Sequence, residues 1–400
     1  MNLTTGYPYW LINSGLVATY PKLEQSIKTD VVIIGGGISG ALAAYYLINA
    51  GLECKVVDAR TIGLGSTCAS TSLLQYELDK PLSVLTHQIG FQSAARAYVM
   101  CSEAIDTLQS ISKKIKFNLF EKQKSLYFAA FKKDSKLIET EFTYRKKAGF
   151  QVHLLDEKEI QQRFGFSAPA AILSRQGATT DAYMFTHALL QTIIKKGHEV
   201  FDRTVVSKIE YKRNGVKLFT EKGHSITAKK IVNASGYEIT EFVDKKIAKL
   251  NSTYAFASEQ LQSHIPVWKD KTILWNTADP YLYMRLTKDN RVIIGGRDEE
   301  FYSPLKRDRL IKKKTALLKK DFSKLFPEIE LIPEFSWTGT FGSTKDTLPY
   351  IGTYNKTPHT YYALGFGGNG ITFSVIAAEI ILDMIMGRKN KDASLFSFDR

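Results

Sequence analysis

Residues 30–47 read DVVIIGGGISGALAAYYL, which is an apolar run, a set of spaced glycines and a second apolar run. Residues 31–34 are β-branched, as is typical of a strand buried within a parallel sheet. The segment after Gly40, ALAAYYLINAG, predicts a helix that ends at Gly51, and the next segment, LECKVVDAR, predicts a second strand that finishes at Asp58. The stretch therefore predicts the strand–turn–helix–strand unit of a Rossmann-like fold.

The glycines of this turn have the spacing G-x-G-x-x-G. Gly35 permits a tight turn, Gly37 lets the backbone approach a pyrophosphate, and Gly40 lets the helix pack closely on the strand. The free N–H groups at the start of the helix attract phosphate oxygens. A carboxylate at the end of the second strand suits ribose hydroxyls, and it serves NAD as well as FAD. The expected dinucleotide contacts are Gly35, Gly37, Ile38, Ser39, Gly40, Asp58, Ala59 and Arg60.

A second glycine-rich turn lies near the C-terminus, where residues 364–374 read LGFGGNGITFS and an apolar run predicts a core helix. A helix N-terminus stabilises negative charge, and glycines let the main chain approach a ligand. An N-terminal dinucleotide turn combined with this distant turn favours a flavin held by both ends of the chain. An NAD-dependent dehydrogenase is the alternative, and it would leave the second turn without a role.

Motifs spread along the chain, taken together and in order, resemble those of the D-amino-acid oxidase and glycine oxidase superfamily. The matching segments after the first turn are GLGSTCASTSLLQ at 63–75, GATTDAYMFTHALLQ at 177–191, RTVVSKIE at 203–210, KKIVNASGYE at 229–238, WTGTFGSTKDTLPYIG at 337–352 and the terminal ALGFGGNGITFS. The resemblance implies an α/β (α+β) fold of two domains. One is a Rossmann-like FAD-binding domain, and the other is a discontinuous substrate domain with a mostly antiparallel sheet.

The order of these segments implies that each domain is assembled from separate parts of the chain. We expect the FAD-binding domain at 1–84, 160–238 and 336–400, and the substrate domain at 85–159 and 239–335. The segment YPYWLINSGLVATYPKL at 7–23 is expected to lie over the core before the first strand.

The resemblance also implies further contacts with FAD. The late turn would place backbone N–H groups against the N1–C2=O edge of the flavin, where reduction leaves negative charge. The additional expected cofactor contacts are Gly65, Ser66, Thr67, Val206, Ala234, Gly236, Gly368, Asn369, Gly370, Ile371 and Thr372. Residues 234–236 could equally be an ordinary strand end. Some members attach the flavin to a cysteine of the late block, which has none here, so we expect non-covalent FAD.

Members of this superfamily oxidise a C–N bond by passing a hydride to flavin N5, so the resemblance implies an FAD-dependent oxidoreductase for an amine or amino acid. The flavin performs this chemistry, and no catalytic side chain is required. Glycine oxidase-like members bind the substrate carboxylate with an arginine, whose place Phe341 takes here. Phe341 and Trp337 would instead form an aromatic wall suited to an amine. We expect Gln75 and Tyr76 near the flavin.

Arg285 is the candidate replacement for the missing arginine. It lies in PYLYMRLT at 280–287, where strand alternation places Tyr281, Tyr283 and Arg285 on one face. That face could line a substrate pocket or meet solvent.

The net charge of +14 is concentrated in lysine-rich segments such as residues 307–326, which predict an amphipathic helix with a solvated face. A membrane-surface role stays open, either as a quinone- or carrier-linked dehydrogenase or as a non-catalytic flavin-binding module. The sequence contains no nucleic-acid-binding motif, no transmembrane segment and no metal-ligand spacing, and its three cysteines fit a reducing cytoplasm. Oxygen, a quinone or a carrier protein could accept the electrons.

Overall fold

The computed structural model describes residues 1–241, 243, 247–262 and 268–400, and its strands form two large sheets. The strands are β1 (Thr4–Gly6), β2 (Ile27–Ile34), β3 (Cys54–Val57), β4 (Leu73–Gln75), β5 (Glu121–Phe128), β6 (Val152–Asp156), β7 (Ala170–Thr179), β8 (Glu199–Phe201), β9 (Val206–Lys212), β10 (Gly215–Thr220), β11 (Ser225–Asn233), β12 (Lys249–Ser258), β13 (Ile273–Asn276), β14 (Tyr283–Leu286), β15 (Val292–Glu299), β16 (Pro333–Ser343), β17 (Tyr350–Thr353) and β18 (Thr360–Leu364). The α-helices are α1 (Tyr9–Ser14), α2 (Ile38–Asn49), α3 (Ser66–Ala69), α4 (Leu82–Ile89), α5 (Phe91–Lys114), α6 (Ser135–Lys147), α7 (Glu157–Phe164), α8 (Ala182–Ile194), α9 (Pro304–Arg309), α10 (Ile311–Leu325) and α11 (Gly370–Ile385).

The first sheet has the order β17-β18-β11-β2-β3-β8, with β10 and β9 continuing from β11. The strands from β18 to β8 are parallel, as the buried apolar runs predict. In the register of this sheet Ile34 lies beside both Val57 and Asn233. The C-terminal ends of β2, β3 and β11 therefore meet at one edge, and the predicted strand–turn–helix–strand unit is confirmed.

The second sheet has the order β1-β16-β12-β15-β14-β13-β5-β7-β4, with β6 paired to β7. Its neighbours are antiparallel except for β13 and β5, which are parallel. This confirms the expected mostly antiparallel sheet.

The expected domain borders stay a prediction. The two sheets are not divided along the chain at those borders. Strands β1, β4 and β7 and most of β16 come from the segments assigned to FAD binding, yet they belong to the second sheet. The N-terminal segment does cover the core, since β1 extends the second sheet beside β16 and α1 buries Tyr9 and Trp10.

Helices α2, α5, α8 and α11 supply much of the largest hydrophobic core. The segment Gly367–Ile385 is the helical stretch among the described residues whose length and apolar composition would suffice to cross a membrane, but most of its apolar part is buried within the protein. It packs against α2 and α5, as expected of a core helix. The predicted amphipathic helix corresponds to α10, which buries Leu318 and Phe322 and exposes Lys312, Lys313 and Lys320.

Candidate active site

One cavity brings both glycine-rich turns together. Its volume is about 300 Å³, at the lower end of the ~300–1,000 Å³ of small-molecule pockets. Gly35, Asp58 and Ala234, which follow β2, β3 and β11, line one part of it. Ligands of open α/β sheets bind at this edge, outside the carboxyl ends of the strands.

The first turn is shaped by close backbone approaches. Gly35 has φ +106°, and a Cβ atom there would lie 2.4 Å from the carbonyl oxygen of Ala234. A Cβ atom on Gly37 would lie 2.9 Å from Thr67 Oγ1, and one on Gly40 would lie 1.8 Å from the oxygen of Gly35. Gly35 and Gly37 line the cavity, whereas Gly40 is buried beside the turn and lets α2 pack against it.

The start of α2 is open to an anion. The helix begins at Ile38, its N-cap residue Gly37 provides no side-chain hydrogen bond, and no acid lies in its first turn. The Ile38 N–H donates to Thr67 Oγ1 at 3.1 Å, which fixes the loop after β3 against the helix. Ile38, Ser39, Gly65, Ser66 and Thr67 all line the cavity. A helix start of this kind can bind phosphate oxygens.

Asp58 accepts two backbone hydrogen bonds, from Gly36 N to Oδ2 at 2.6 Å and from Arg60 N to Oδ1 at 2.8 Å. Burial raises the pKa of Asp58, and the two backbone bonds oppose that shift. Each carboxylate oxygen keeps a further lone pair for a ligand hydroxyl. Arg60 forms an ion pair with Glu238, and Asp58, Ala59, Arg60 and Glu238 line the same end of the cavity.

The second turn is held by side-chain and main-chain contacts with the loop after β4. Gly365 and Gly367 have φ of +73° and +56°, which favour glycine. Asn369 Nδ2 donates to the carbonyl oxygens of Gln75 and Glu77, at 3.1 and 2.8 Å. Helix α11 then begins at Gly370 without a side-chain cap. The lining residues of this turn are Gly365, Phe366, Gly367, Gly368, Asn369, Gly370, Ile371 and Thr372.

Three of the expected substrate-pocket residues, Gln75, Tyr283 and Phe341, line the cavity near the second turn. Tyr281 lines it as well, and its ring centre lies 5.7 Å from that of Tyr283. Asp298, at the end of β15, completes this part of the wall.

Two carboxyl groups lie at this end of the cavity. Asp79 accepts hydrogen bonds from Gly368 N and from the Tyr281 hydroxyl, each at 3.0 Å, and burial raises its pKa. Asp298 lies beside the Thr253 hydroxyl, and its Oδ1 is closed off from solvent without a hydrogen-bond partner. Burial, assisted by the charge of Asp79, raises the pKa of Asp298 to about 7.

Tyr76 and Trp337, both expected in the substrate pocket, lie elsewhere. Tyr76 follows the last residue of β4 and is fully buried away from the cavity, where its ring stacks on Phe150 with ring centres 4.3 Å apart. Trp337 is buried and donates from its indole N–H to the carbonyl oxygen of Ala69 at 2.9 Å. The residues of β16 that line the cavity are Gly339, Thr340 and Phe341, further along the strand.

Arg285 also lies away from the cavity. Its Nη1 donates to the carbonyl oxygens of Ser72 and Thr180, at 3.0 and 2.9 Å, and its guanidinium lies 5.2 Å from the ring centre of Trp10. Strand alternation places Arg285 on the same face of β14 as Tyr283. Two residues further along a strand correspond to roughly 6–7 Å, so Arg285 lies beside Trp10 of the N-terminal segment.

Val206 is the first residue of β9 and does not line the cavity, although it was expected to contact the cofactor. It packs against the core cluster that contains Val32 and Ile34.

The sequence interpretation did not include Asp79, Tyr237, Thr253 and Asp298 among the site residues. Tyr237, Thr253 and Asp298 line the cavity, and Asp79 bonds to two lining residues. The signal for Asp298 is an acid two residues after the end of the apolar run VIIGG at 292–296. For Asp79 it is an acid a few residues beyond the strand that ends at Gln75.

The lining residues fit an FAD molecule. The uncapped α2 start and the glycine cradle suit a pyrophosphate, Asp58 suits a ribose, and the second turn offers N–H groups to a flavin ring. Within the described ranges, no group of three or more His, Cys, Asp or Glu side chains could hold a metal ion.

Comparison with known proteins assigns the chain to a class of flavoprotein. A sequence model of the DAO family, described as FAD dependent oxidoreductase, matches residues 30–384. The chain belongs to this family, and it is an FAD-dependent oxidoreductase. This assignment removes the NAD-dependent alternative.

Individual relatives are distant but cover nearly the whole chain. A γ-glutamylputrescine oxidoreductase of Escherichia coli (strain K12) is 25% identical over 397 residues, covering 95% of this chain and 88% of the relative. Among solved structures, an L-proline dehydrogenase from P. horikoshii has a TM-score of 0.78 at 19% identity, covering 93% of this chain and 97% of that chain. A glycine oxidase from Geobacillus kaustophilus has a TM-score of 0.78 at 18% identity, covering 93% and 99%. The two structures show the fold.

Proposed function

We propose that this protein oxidises a C–N bond of a small amine or amino acid by transfer of a hydride from the carbon to FAD. The observation that carries the proposal is the meeting of both glycine-rich turns on one cavity, whose flavin end is lined by Tyr281, Tyr283 and Phe341. The γ-glutamylputrescine oxidoreductase and the glycine oxidase among its relatives are named for substrates that contain C–N bonds, which supports the same class of reaction.

Non-covalent FAD would lie along the cavity with its pyrophosphate at Gly37 and the start of α2, its ribose at Asp58 and its flavin ring at the second turn. Bound FAD would accept the hydride at N5 and pass the two electrons on to an acceptor. The uncapped N–H groups at the start of α11 would stabilise negative charge on the ring edge. The apolar and aromatic wall would exclude water from the reacting carbon.

A protonated amine must lose both a proton and a hydride in this reaction. The ammonium loses a proton, the adjacent carbon loses a hydride, and the nitrogen lone pair forms the C=N bond of an iminium ion. Water then adds to the iminium carbon and the C–N bond breaks, which yields a carbonyl compound and an ammonium ion. The proton must leave first, because a protonated nitrogen has no lone pair with which to form the double bond.

The acceptor is oxygen, a quinone or a carrier protein, and we propose a cytoplasmic enzyme. The exposed lysines of α10 are compatible with contact to an anionic membrane surface, where a quinone would be reached. An oxidase consumes oxygen with its substrate, whereas a dehydrogenase stays reduced in air until an artificial acceptor is added.

The test is an anaerobic visible spectrum of the purified protein during titration with amines, N-methyl amino acids and D-amino acids. We expect a flavin spectrum that at least one compound bleaches, followed by formation of the corresponding carbonyl compound. A flavin spectrum that no C–N compound bleaches would contradict the proposed reaction. Flavin that stays on the polypeptide after acid precipitation would contradict non-covalent binding.

A further inference from the structure

The flavin end of the cavity carries acidic groups without a basic partner. Arg60 is the basic side chain among the described residues that line the cavity, and it pairs with Glu238 at the opposite end, beside Asp58. Two basic side chains close to Asp298 form ion pairs with other acids: Arg297 pairs with Asp321, and Lys314 pairs with Glu299. A substrate carboxylate at this end would therefore meet no basic counter-ion.

The two carboxyl groups differ in what they still can bind. Both oxygens of Asp79 are engaged, one by Gly368 N and the other by the Tyr281 hydroxyl. Asp298 lines the cavity and makes no ion pair with a described residue, and its Oδ1, which the surrounding protein encloses, lacks a hydrogen-bond partner. An unpaired carboxylate inside a protein is costly, and a cation delivered by a ligand would remove that cost.

The aromatic walls favour the same kind of ligand. Tyr281, Tyr283 and Phe341 line the cavity beside Asp298. Aromatic faces attract ammonium groups. The unpaired acid and the aromatic walls therefore both favour a cationic ligand at this end of the cavity.

We propose that Asp298 binds the protonated nitrogen of the substrate, and that the substrate is an amine without a carboxylate on the carbon next to that nitrogen. This inference rests on the proposed function, whose substrate class it narrows. Asp298 then takes the proton that the ammonium must release before the hydride leaves, because its carboxyl is the acceptor that faces the substrate.

Protonation of Asp298 competes with this binding. The groups that act on Asp298 from the surrounding elements are Thr253 on β12, Asp79, Asp279, Tyr281, Tyr283 and Lys314 on α10. Burial is the dominant influence and raises the pKa of Asp298 to about 7, so the free site carries its negative charge only above that pH. Affinity for an ammonium ion should therefore increase as the pH rises through neutrality.

The experiment uses probes that cannot lose a hydride because the carbon next to their functional group carries no hydrogen. These are tert-butylamine as the cation, pivalate as the matched anion and 2-aminoisobutyrate as the matched zwitterion. Binding to the FAD-loaded protein is measured by the flavin difference spectrum and by saturation-transfer NMR. We expect tert-butylamine to bind, 2-aminoisobutyrate to bind more weakly and pivalate not to bind.

The decisive variant is Asp298→Asn, which keeps the shape and removes the charge. It should weaken tert-butylamine binding at least ~10-fold, the usual minimum for loss of a charged hydrogen-bond partner. The control is Glu300→Gln, two residues further on, whose exposed carboxylate pairs with Lys249 and which should bind the probe normally. In the unmodified protein, affinity should rise about tenfold from pH 6 to pH 8, while the aliphatic ammonium stays charged.

The outcomes separate the inference from the proposed function. Equal binding of pivalate, or unchanged amine binding by Asp298→Asn in a protein with a normal flavin spectrum, would overturn the inference and leave the proposed reaction standing. Should the variant fail to retain flavin, a flat pH profile of the unmodified protein would overturn it instead. An unmodified protein that takes up no FAD would refute the proposed function itself.

Discussion

The hydroxyl groups of Ser39 and Ser374 lie 2.7 Å apart, although 335 residues separate them in the chain. Ser39 belongs to the first turn of α2, and Ser374 lies in the first turns of α11. Ser374 Oγ also donates to the carbonyl oxygen of Gly370 at 2.6 Å. Because the hydroxyl proton of Ser374 is engaged by Gly370, the Ser39 hydroxyl is the donor in the bond between the two serines. This bond joins the two helices whose N-termini face the cavity.

A double-mutant cycle tests whether the bond couples the two turns. Ser39→Ala and Ser374→Ala should each lower the free energy of unfolding by about 0.5–1.5 kcal/mol, the usual net contribution of one hydrogen bond. The double variant should lose less than the sum, because the second substitution removes a bond already broken. Urea unfolding of the four proteins measures this coupling. Strictly additive losses would mean that the two hydroxyls do not interact.

Gly37→Val tests the cradle at the first turn. A Cβ atom at residue 37 already lies 2.9 Å from Thr67 Oγ1, and the methyl groups of valine would fill the space beside the start of α2. We expect loss of FAD binding with retained helical structure, measured as the ratio of flavin to protein absorbance and as far-ultraviolet circular dichroism. Ala50→Val, at the exposed end of the same helix, is the control and should bind FAD normally. Full flavin content in the Gly37→Val protein would mean that the pyrophosphate does not bind beside Gly37.

The sequence predicts the parts of this site that depend on local backbone chemistry. A glycine spacing between a β-branched strand and a helix has one common geometry, so Gly35, Gly37 and Asp58 lie at the expected edge. The second turn was also predictable, because its glycines and the helix after it are adjacent in sequence. In both cases the decisive contacts lie within a few residues of the motif.

The substrate end was harder to predict, because it depends on sheet register and strand length. Alternation places Arg285 on the correct face, yet the register of β14 decides that it bonds to Ser72 and Thr180 instead of lining the cavity. Asp298 and Asp79 come from separate elements, and no local pattern brings them together. They lie close together because strands that are distant in the sequence pair with each other, and the spacing of residues along the chain does not indicate that pairing.

Arg285→Lys tests the structural role that the contacts of Arg285 imply. Both bonds come from Nη1, and the shorter lysine side chain cannot place its ammonium at that position, so the buried acceptors would lose their donor. We expect a loss of about 1–3 kcal/mol in the free energy of unfolding, with the KM for the amine substrate unchanged. Arg309→Lys, at an exposed position of α9, should change neither quantity. A raised KM with unchanged stability would contradict this role and indicate that Arg285 contacts the substrate.

His187 should make the protein sensitive to acid. The side chain is fully buried, with Nδ1 2.9 Å from the Tyr20 hydroxyl and Nε2 without a partner among the described residues. Burial lowers the pKa of His187 from 6.5 to about 4, because the charged imidazolium is poorly solvated there.

The sign of the pH dependence follows from this shift. Between about pH 6.5 and 4 the unfolded chain binds a proton at His187 that the folded protein does not bind. Stability therefore falls as the pH is lowered through this window, at most by about 1.4 kcal/mol per pH unit for one proton, and His187 contributes no slope above it. His187→Gln should flatten the dependence by up to one proton, measured by urea unfolding across the window. His153→Gln replaces an exposed histidine of β6 and should leave the slope unchanged. Equal slopes for the His187→Gln and unmodified proteins would mean that His187 already binds its proton in the folded state.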